Sequence, residues 1–201
     1  VLMCCVASYL GAQTPRPVPG GRIIAISPAA SSRTGFSKIS PDVSGVAFTN
    51  RLEEQSAANN RILENGSGVA LGDVDGDGLC DIYLCRLEGA NALYRNLGNW
   101  RFTNMPSASG AACESQHSTG AVFADVDGDR DLDLLVNGLG TGTRLFLNDS
   151  TGRFTESTNN RLSKRYGATS LALADIDGDG DLDLYVPNYR TTTFKDNPPG
   201  L

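Results

Sequence analysis

Aspartate recurs at alternate positions in three short stretches of this chain. The first stretch places Asp73, Asp75, Asp77 and Asp81 at positions one, three, five and nine. The second repeats this with Asp125, Asp127, Asp129 and Asp133, and the third with Asp175, Asp177, Asp179 and Asp183. Alternate side chains of a tightly wound loop can converge on one centre, and glycine at position four (Gly76, Gly128, Gly178) allows the winding. The expected fifth protein ligand is the position-seven carbonyl, from Leu79, Asp131 or Asp181, with water completing the shell. Oxygen donors of this kind suit a hard cation such as Ca²⁺, which takes roughly six to eight of them at flexible geometry. Mg²⁺ is smaller and stricter, and suits so many protein oxygens less well. The expectation is about three Ca²⁺, one per loop. An Asp-rich surface turn would explain one isolated loop. Three copies in register argue against it. Arg130 stands at position six, where the other loops have glycine, so the second loop is expected to be stiffer or to bind more weakly.

Charge bookkeeping agrees. The twelve aspartates at those positions belong to 23 acidic residues, which leaves 11 against 17 Lys and Arg. Without them the chain would carry +6 rather than −6, and three dications would bring the actual charge to zero. A net acidic chain is poorly suited to nucleic acid or an anionic membrane surface.

Apolar runs flank each loop and must position it. The segments 68–85, 120–137 and 170–187 align with their first aspartates 52 and 50 residues apart. In the first two copies the likeness continues: Leu93-Tyr94 matches Leu145-Phe146, Asn96 matches Asn148, and Phe102-Thr103 matches Phe154-Thr155. Each copy therefore predicts four short strands, two around the aspartate loop and two around a Gly-containing turn. Four strands in a period of about 50 residues are the pattern of a propeller blade. The fold expected is all-β, a β-propeller of four-stranded antiparallel blades with about three present. Phe48-Thr49 reads as the outer strand of a preceding copy, and Asn-Asn-Arg-Ile/Leu recurs at 59–62 and 159–162. An EF-hand is excluded, because position twelve is Leu84, Val136 or Val186 in a predicted strand rather than Glu before a helix.

The repeats are placed near 66–104, 118–156 and 168–201, within a propeller segment at 45–201. A Pro/Gly/Ser-rich segment at 14–44 precedes it. Residues 1–13 open with an uncharged run too short to span a bilayer, and match the apolar core of a truncated secretory signal. A short buried strand or helix is the alternative. Cys80 occupies the slot of Leu132 and Leu182 and reads as a small core residue, while nothing in the spacing of Cys85 and Cys113 requires a disulfide. With about three copies, where a closed ring takes four or more, the chain is expected to be part of a longer protein.

Taken together, the Asp-x-Asp-Gly-Asp-x-x-x-Asp loop, its preceding Val-Ala-Leu-Gly or Val-Phe-Ala, and the following Leu-Tyr-Arg-Asn or Leu-Phe-Leu-Asn resemble FG-GAP/VCBS repeats. Such repeats build the propellers of integrin α-subunits and many secreted bacterial proteins. The run 91–102 is similar to the cartilage acidic protein and ASPIC/UnbV group. The resemblance covers residues 45–187 and implies a seven-bladed ring with structural metal loops. It brings no catalytic residue.

These features predict a secreted, periplasmic or cell-surface scaffold of adhesion or interaction type, with a protein or glycan ligand and further blades as partners. An extracellular enzyme whose propeller is one domain, or a repetitive spacer, are the other classes. Against catalysis within this chain, His117 lies beside Ser115 and Ser118, and adjacent residues rarely converge into a triad. Asn65-Gly-Ser67 and Asn148-Asp-Ser150 fit glycosylation acceptors.

Overall fold

The computed structural model describes residues 36–105, 109–158, 162 and 166–189, and the backbone of three short strands before them. The chain divides into two compact units, Val1–Ser44 and Gly45–Leu201. The first holds β1 (Met3–Cys4), β2 (Arg16–Val18), β3 (Gly21–Ile23), β4 (Ser37–Lys38) and one helical turn, α1 (Pro41–Ser44). Strand β1 pairs with β4 and β2 with β3, both antiparallel. Apart from Met3–Cys4, the stretch read as a signal lies outside the described residues.

The second unit begins with α2 (Glu54–Asn59) and a 3₁₀ turn at Arg61–Asn65. The first blade follows as β5 (Val69–Gly72), β6 (Asp81–Leu84), β7 (Ala92–Asn96) and β8 (Phe102–Asn104), an antiparallel meander in sequence order. The second is the same meander with longer strands: β9 (His117–Ala124), β10 (Asp133–Leu139), β11 (Gly142–Asn148) and β12 (Phe154–Ser157). Next come β13 (Gly167–Ala168), β14 (Ala172–Ala174), β15 (Asp183–Tyr185) and β16 (Asn188–Tyr189). The third copy keeps its inner hairpin, β14 with β15. Strand β16 pairs instead with β13, which also meets the end of β10. The all-β architecture of four-stranded antiparallel blades stands, and no closed ring forms among the described residues.

Corresponding positions of the three copies meet. Gly68, Gly120 and Ser170, each five residues before its loop, line one cavity of about 320 Å³. A Cβ on Gly68 would lie 2.7 Å from the Cα of Gly120, so the innermost strands touch backbone to backbone there. Farther out, the blade-to-blade core gathers Ala70, Val74, Tyr83 and Leu93 from the first blade with Leu134, Val136, Phe146 and Phe154 from the second. Phe123 bridges them, edge-on to Tyr83 and stacked with Phe154, each at 6.2 Å between ring centres. Strand alternation produces this face, since Ala70 is opposite Tyr83, which is opposite Leu93.

Two sequence expectations are corrected. Phe48-Thr49 is not a strand; Phe48 is half-buried beneath the Arg86 guanidinium at 4.7 Å. Cys80 is exposed rather than a core residue, whereas Leu132, in the same slot of the second blade, is half-buried against Gly72 of the first. Residues 59–62 span the end of α2 and the start of the 3₁₀ turn, while the copy at 159–162 lies outside the described residues except Leu162.

The segments before the two blades lean on those blades' outer strands at glycine. A Cβ on Gly110, whose φ is +76°, would lie 2.0 Å from the Phe154 carbonyl oxygen. Gly140 has the same φ of +76° with nothing within 4 Å. Gly140→Ala should cost about 1 kcal/mol from the left-handed backbone alone, and Gly110→Ala about 2–4 kcal/mol. Urea unfolding of the two variants checks the difference; equal costs would mean that the close approach at Gly110 is not rigid.

Candidate metal centre

Each loop closes the gap between the first two strands of its copy, so position nine is always the first residue of the strand that follows. Asp81 is opposite Gly72, Asp133 opposite Ala124, and Asp183 opposite Ala174. That registration brings position nine back beside positions one and three. Asp73, Asp75 and Asp81 each offer one carboxylate oxygen, all within 4.8 Å of one another. Asp125, Asp127 and Asp133 do the same, as do Asp175, Asp177 and Asp183. Three oxygens at that separation fit one cation between them, and the donor set is that of a hard divalent ion.

The position-nine carboxylate also ties the loop to the blade. Asp81 Oδ2 accepts the Val74 N–H at 3.0 Å, and its Oδ1 accepts the Asn96 N–H at 2.7 Å. Asp133 repeats both bonds with Val126 and Asn148, each at 3.0 Å, and Asp183 accepts the Ile176 N–H at 3.0 Å. Asp81 and Asp133 are fully buried. Burial raises both carboxyls above the ordinary aspartate value of 3.8, the neighbouring aspartates add to the rise, and the backbone N–H bonds oppose it. A raised value in the fold means that each group's contribution to metal-free stability is present below the ordinary value. It is lost as pH rises through the raised one. Above that window both are ionised beside two further carboxylates, an arrangement that a cation relieves.

Position one shapes the loop itself. Asp125 accepts the Gly128 N–H at 2.7 Å and the Arg130 N–H at 3.1 Å; Asp175 accepts those of Gly178 and Gly180 at 2.7 and 3.2 Å. Arg130 holds a left-handed φ of 77°, as Gly78 and Gly180 do at 83° and 95°, so the second loop carries strain that glycine would avoid. Position five lies outside the three-oxygen clusters. Asp77, Asp129 and Asp179 each accept the N–H of position seven, at 2.9, 3.0 and 2.9 Å. Of the position-seven residues, the Asp131 carboxylate accepts the Ser150 hydroxyl at 2.8 Å.

Asn96 and Asn148, whose recurrence the sequence displays, have a role that spacing alone does not reveal. Their Nδ2 atoms donate to the position-eight carbonyls, Cys80 at 2.8 Å and Leu132 at 3.1 Å. Asn148 Nδ2 also donates across the blade boundary to the Val74 carbonyl at 2.8 Å. The side chain is thus engaged in the core, which argues against the folded Asn148 as a glycosylation acceptor. His117 Nδ1 lies 2.6 Å from the Leu87 carbonyl, Ser118 is fully buried on the Asn91 amide, and Cys85 and Cys113 are free buried thiols. Burial, with Cys113 alongside, pushes the Cys85 thiol up to about 12.

The two roles of the carboxylates are separable. Asp133→Asn would set an amide N–H against a backbone N–H in a buried place, and should cost roughly 1–3 kcal/mol in chelator. Asp127→Asn, on an exposed side chain, should change metal-free stability by less than about 0.5 kcal/mol. Both should weaken metal binding. Denaturant melts with and without chelator distinguish them.

Comparison with known proteins places this geometry. The family model described as FG-GAP-like repeat matches residues 73–136 and 125–186, which together span more than half of the 201-residue chain. Cartilage acidic protein 1 of Xenopus tropicalis is 30% identical over 86 residues, 43% of this chain and 13% of that protein. Cartilage acidic protein 1 of Mus musculus is 29% identical over 82 residues, 41% of this chain and 13% of the relative. The matched stretch thus spans about an eighth of the length of these relatives. With its loops in register between the paired strands of successive blades, the chain belongs to the FG-GAP-like repeat family.

Proposed function

We propose that the chain is a calcium-binding segment of a β-propeller that acts outside the cell as an interaction scaffold. In this reading it binds a protein or glycan partner through blade loops and catalyses nothing itself. The observation that carries it is the triple recurrence of converging carboxylates, one of which is also the tie between loop and blade. Ca²⁺ in each loop would be held by positions one, three and nine, with the position-five carboxylate and the position-seven carbonyl as further oxygen donors. Its chemistry there is neutralisation and cross-linking of loop to strand. Calcium is favoured over magnesium because the loop supplies many protein oxygens without strict octahedral geometry.

An extracellular setting, whether secreted, periplasmic or cell-surface, is supported by the apolar N-terminal run and by relatives named for cartilage. No helix among the described residues is long and apolar enough to cross a membrane. Ile176 and Tyr185 of the third hairpin, the counterparts of Val74 and Tyr83, are 73 and 64% exposed, and a further blade is the partner that such a face suits.

Calorimetric titration of demetallated chain should show about three Ca²⁺ sites, and saturation should raise the melting temperature, with about 2.7 kcal/mol gained per site at a hundredfold excess over Kd. Proton release on binding should grow as pH falls toward the aspartate range, read from titrations in buffers of different ionisation enthalpy. No binding at millimolar Ca²⁺ would end this reading.

A further inference from the structure

The three loops share a sequence pattern, but among the described residues only the first has a basic side chain paired with its aspartates. Arg95 lies on β7, immediately before Asn96, whose N–H is held by Asp81. From there its Nε pairs with Asp75 Oδ2, and a terminal guanidinium nitrogen lies 3.7 Å from Asp77 Oδ2. Asp75 belongs to the cluster of converging oxygens, and its side chain is only 5% exposed, whereas that of Arg95 is 42% exposed. The corresponding residue of the second blade, one before Asn148, is Leu147, which brings no charge. The first loop is also wound differently. Asp73 Oδ1 accepts the N–H of position five, Asp77, at 3.1 Å, where the other two loops use the N–H of position four.

We propose that Arg95 is a resident counter-cation of the first loop, which a divalent ion must displace from Asp75 and Asp77, so that Arg95 weakens this site. The inference rests on the calcium reading given above. A guanidinium is a bulky, permanently charged group with a fixed fork of donors, and at Asp75 Oδ2 and Asp77 Oδ2 it competes with a dication for carboxylate oxygen and repels its charge. Its half-exposed side chain leaves it free to swing into solvent, so displacement is costly but not prohibitive. Without metal, the same ion pair relieves the repulsion among the first loop's aspartates. Arg95 therefore stabilises the metal-free loop and opposes its filling. One blade would retain its loop geometry at calcium levels too low to load it, while its neighbour follows the ion.

The test is a Ca²⁺ titration of the 201-residue chain and its Arg95→Leu variant, with melting curves in chelator. Arg95→Leu should tighten one site about three- to tenfold and lower the melting temperature in chelator. These are opposite signs that a merely structural arginine would not produce. The tightening should vanish in an Asp73→Asn background, where the first loop is already disabled. Leu147→Arg should weaken the second site by a similar factor, and Arg95→Lys, which keeps a point charge without the fork, should fall between wild type and Arg95→Leu. Wild-type binding at several sites that Arg95→Leu leaves unchanged within twofold, or weakens, overturns the proposal alone. If Arg95→Leu does not fold, Arg95→Lys and Leu147→Arg decide the question in the same way. Absence of wild-type binding at any site overturns the calcium reading first.

Discussion

Asp133 is buried with both carboxylate oxygens held by backbone N–H groups, one from its own loop at Val126 and one from the next hairpin at Asn148. Asp81 makes the same pair of bonds in the first blade. A charge placed in such surroundings is tolerable only with several charge-assisted bonds, and once they form they fix where loop and hairpin meet. Positions one and three then have little freedom left. The first is wrapped by the amides of the loop, and the third is brought to the same side by the alternation of the chain. The convergence of oxygens on a metal-sized space is therefore a consequence of how the blade is tied together.

Packing between blades depends on the same loops. Position two follows a gradient along the chain: Val74 is 3% exposed, Val126 is half-buried, and Ile176 is 73% exposed. Val74 is buried because the second blade lies over it; a Cβ on Gly152, in that blade's outer turn, would lie 3.2 Å from the Val74 side chain. Ile176 has no such cover among the described residues. At the boundary of the first two blades the position-two aliphatic is thus a knob that one blade offers to the next.

Much of this was legible in the sequence, because repetition at a fixed period is a strong signal. The periods of 52 and 50 residues, the strands flanking each loop and the all-β architecture all follow from it. What repetition does not show is direction. The spacing presents positions one, three, five and nine as equivalent, yet position five turns to cap the amide of position seven, whereas position nine is pulled inward by the strand that it begins. Cys80 reads as apolar by analogy with Leu132, but Leu132 is half-buried against Gly72 of the first blade, whereas Cys80 in the same slot is exposed. Asn148 resembled a surface acceptor motif until its amide was seen bonding across two blades. The third copy lost its likeness after Pro187, and there the chain leaves the hairpin to pair β16 with β13. Side-chain direction and long-range partners are properties of the packed chain, and a motif does not contain them.

Those long-range partners join the loops in series. Val74 donates its N–H to Asp81, and its carbonyl receives the Asn148 side chain at 2.8 Å. Asn148 in turn donates its own N–H to Asp133, whose other oxygen holds Val126 in the second loop. A continuous run of hydrogen bonds thus leads from the first aspartate loop through the blade boundary into the second, with every link at 3.0 Å or less. Most of these links are buried, where a hydrogen bond is stronger and a missing partner more costly than at the surface. Anything that fixes position nine in one loop therefore also limits the freedom of the next. An ion held at such a loop would stiffen more than the nine residues around it, because the carboxylate that it touches is already part of the joint between blades.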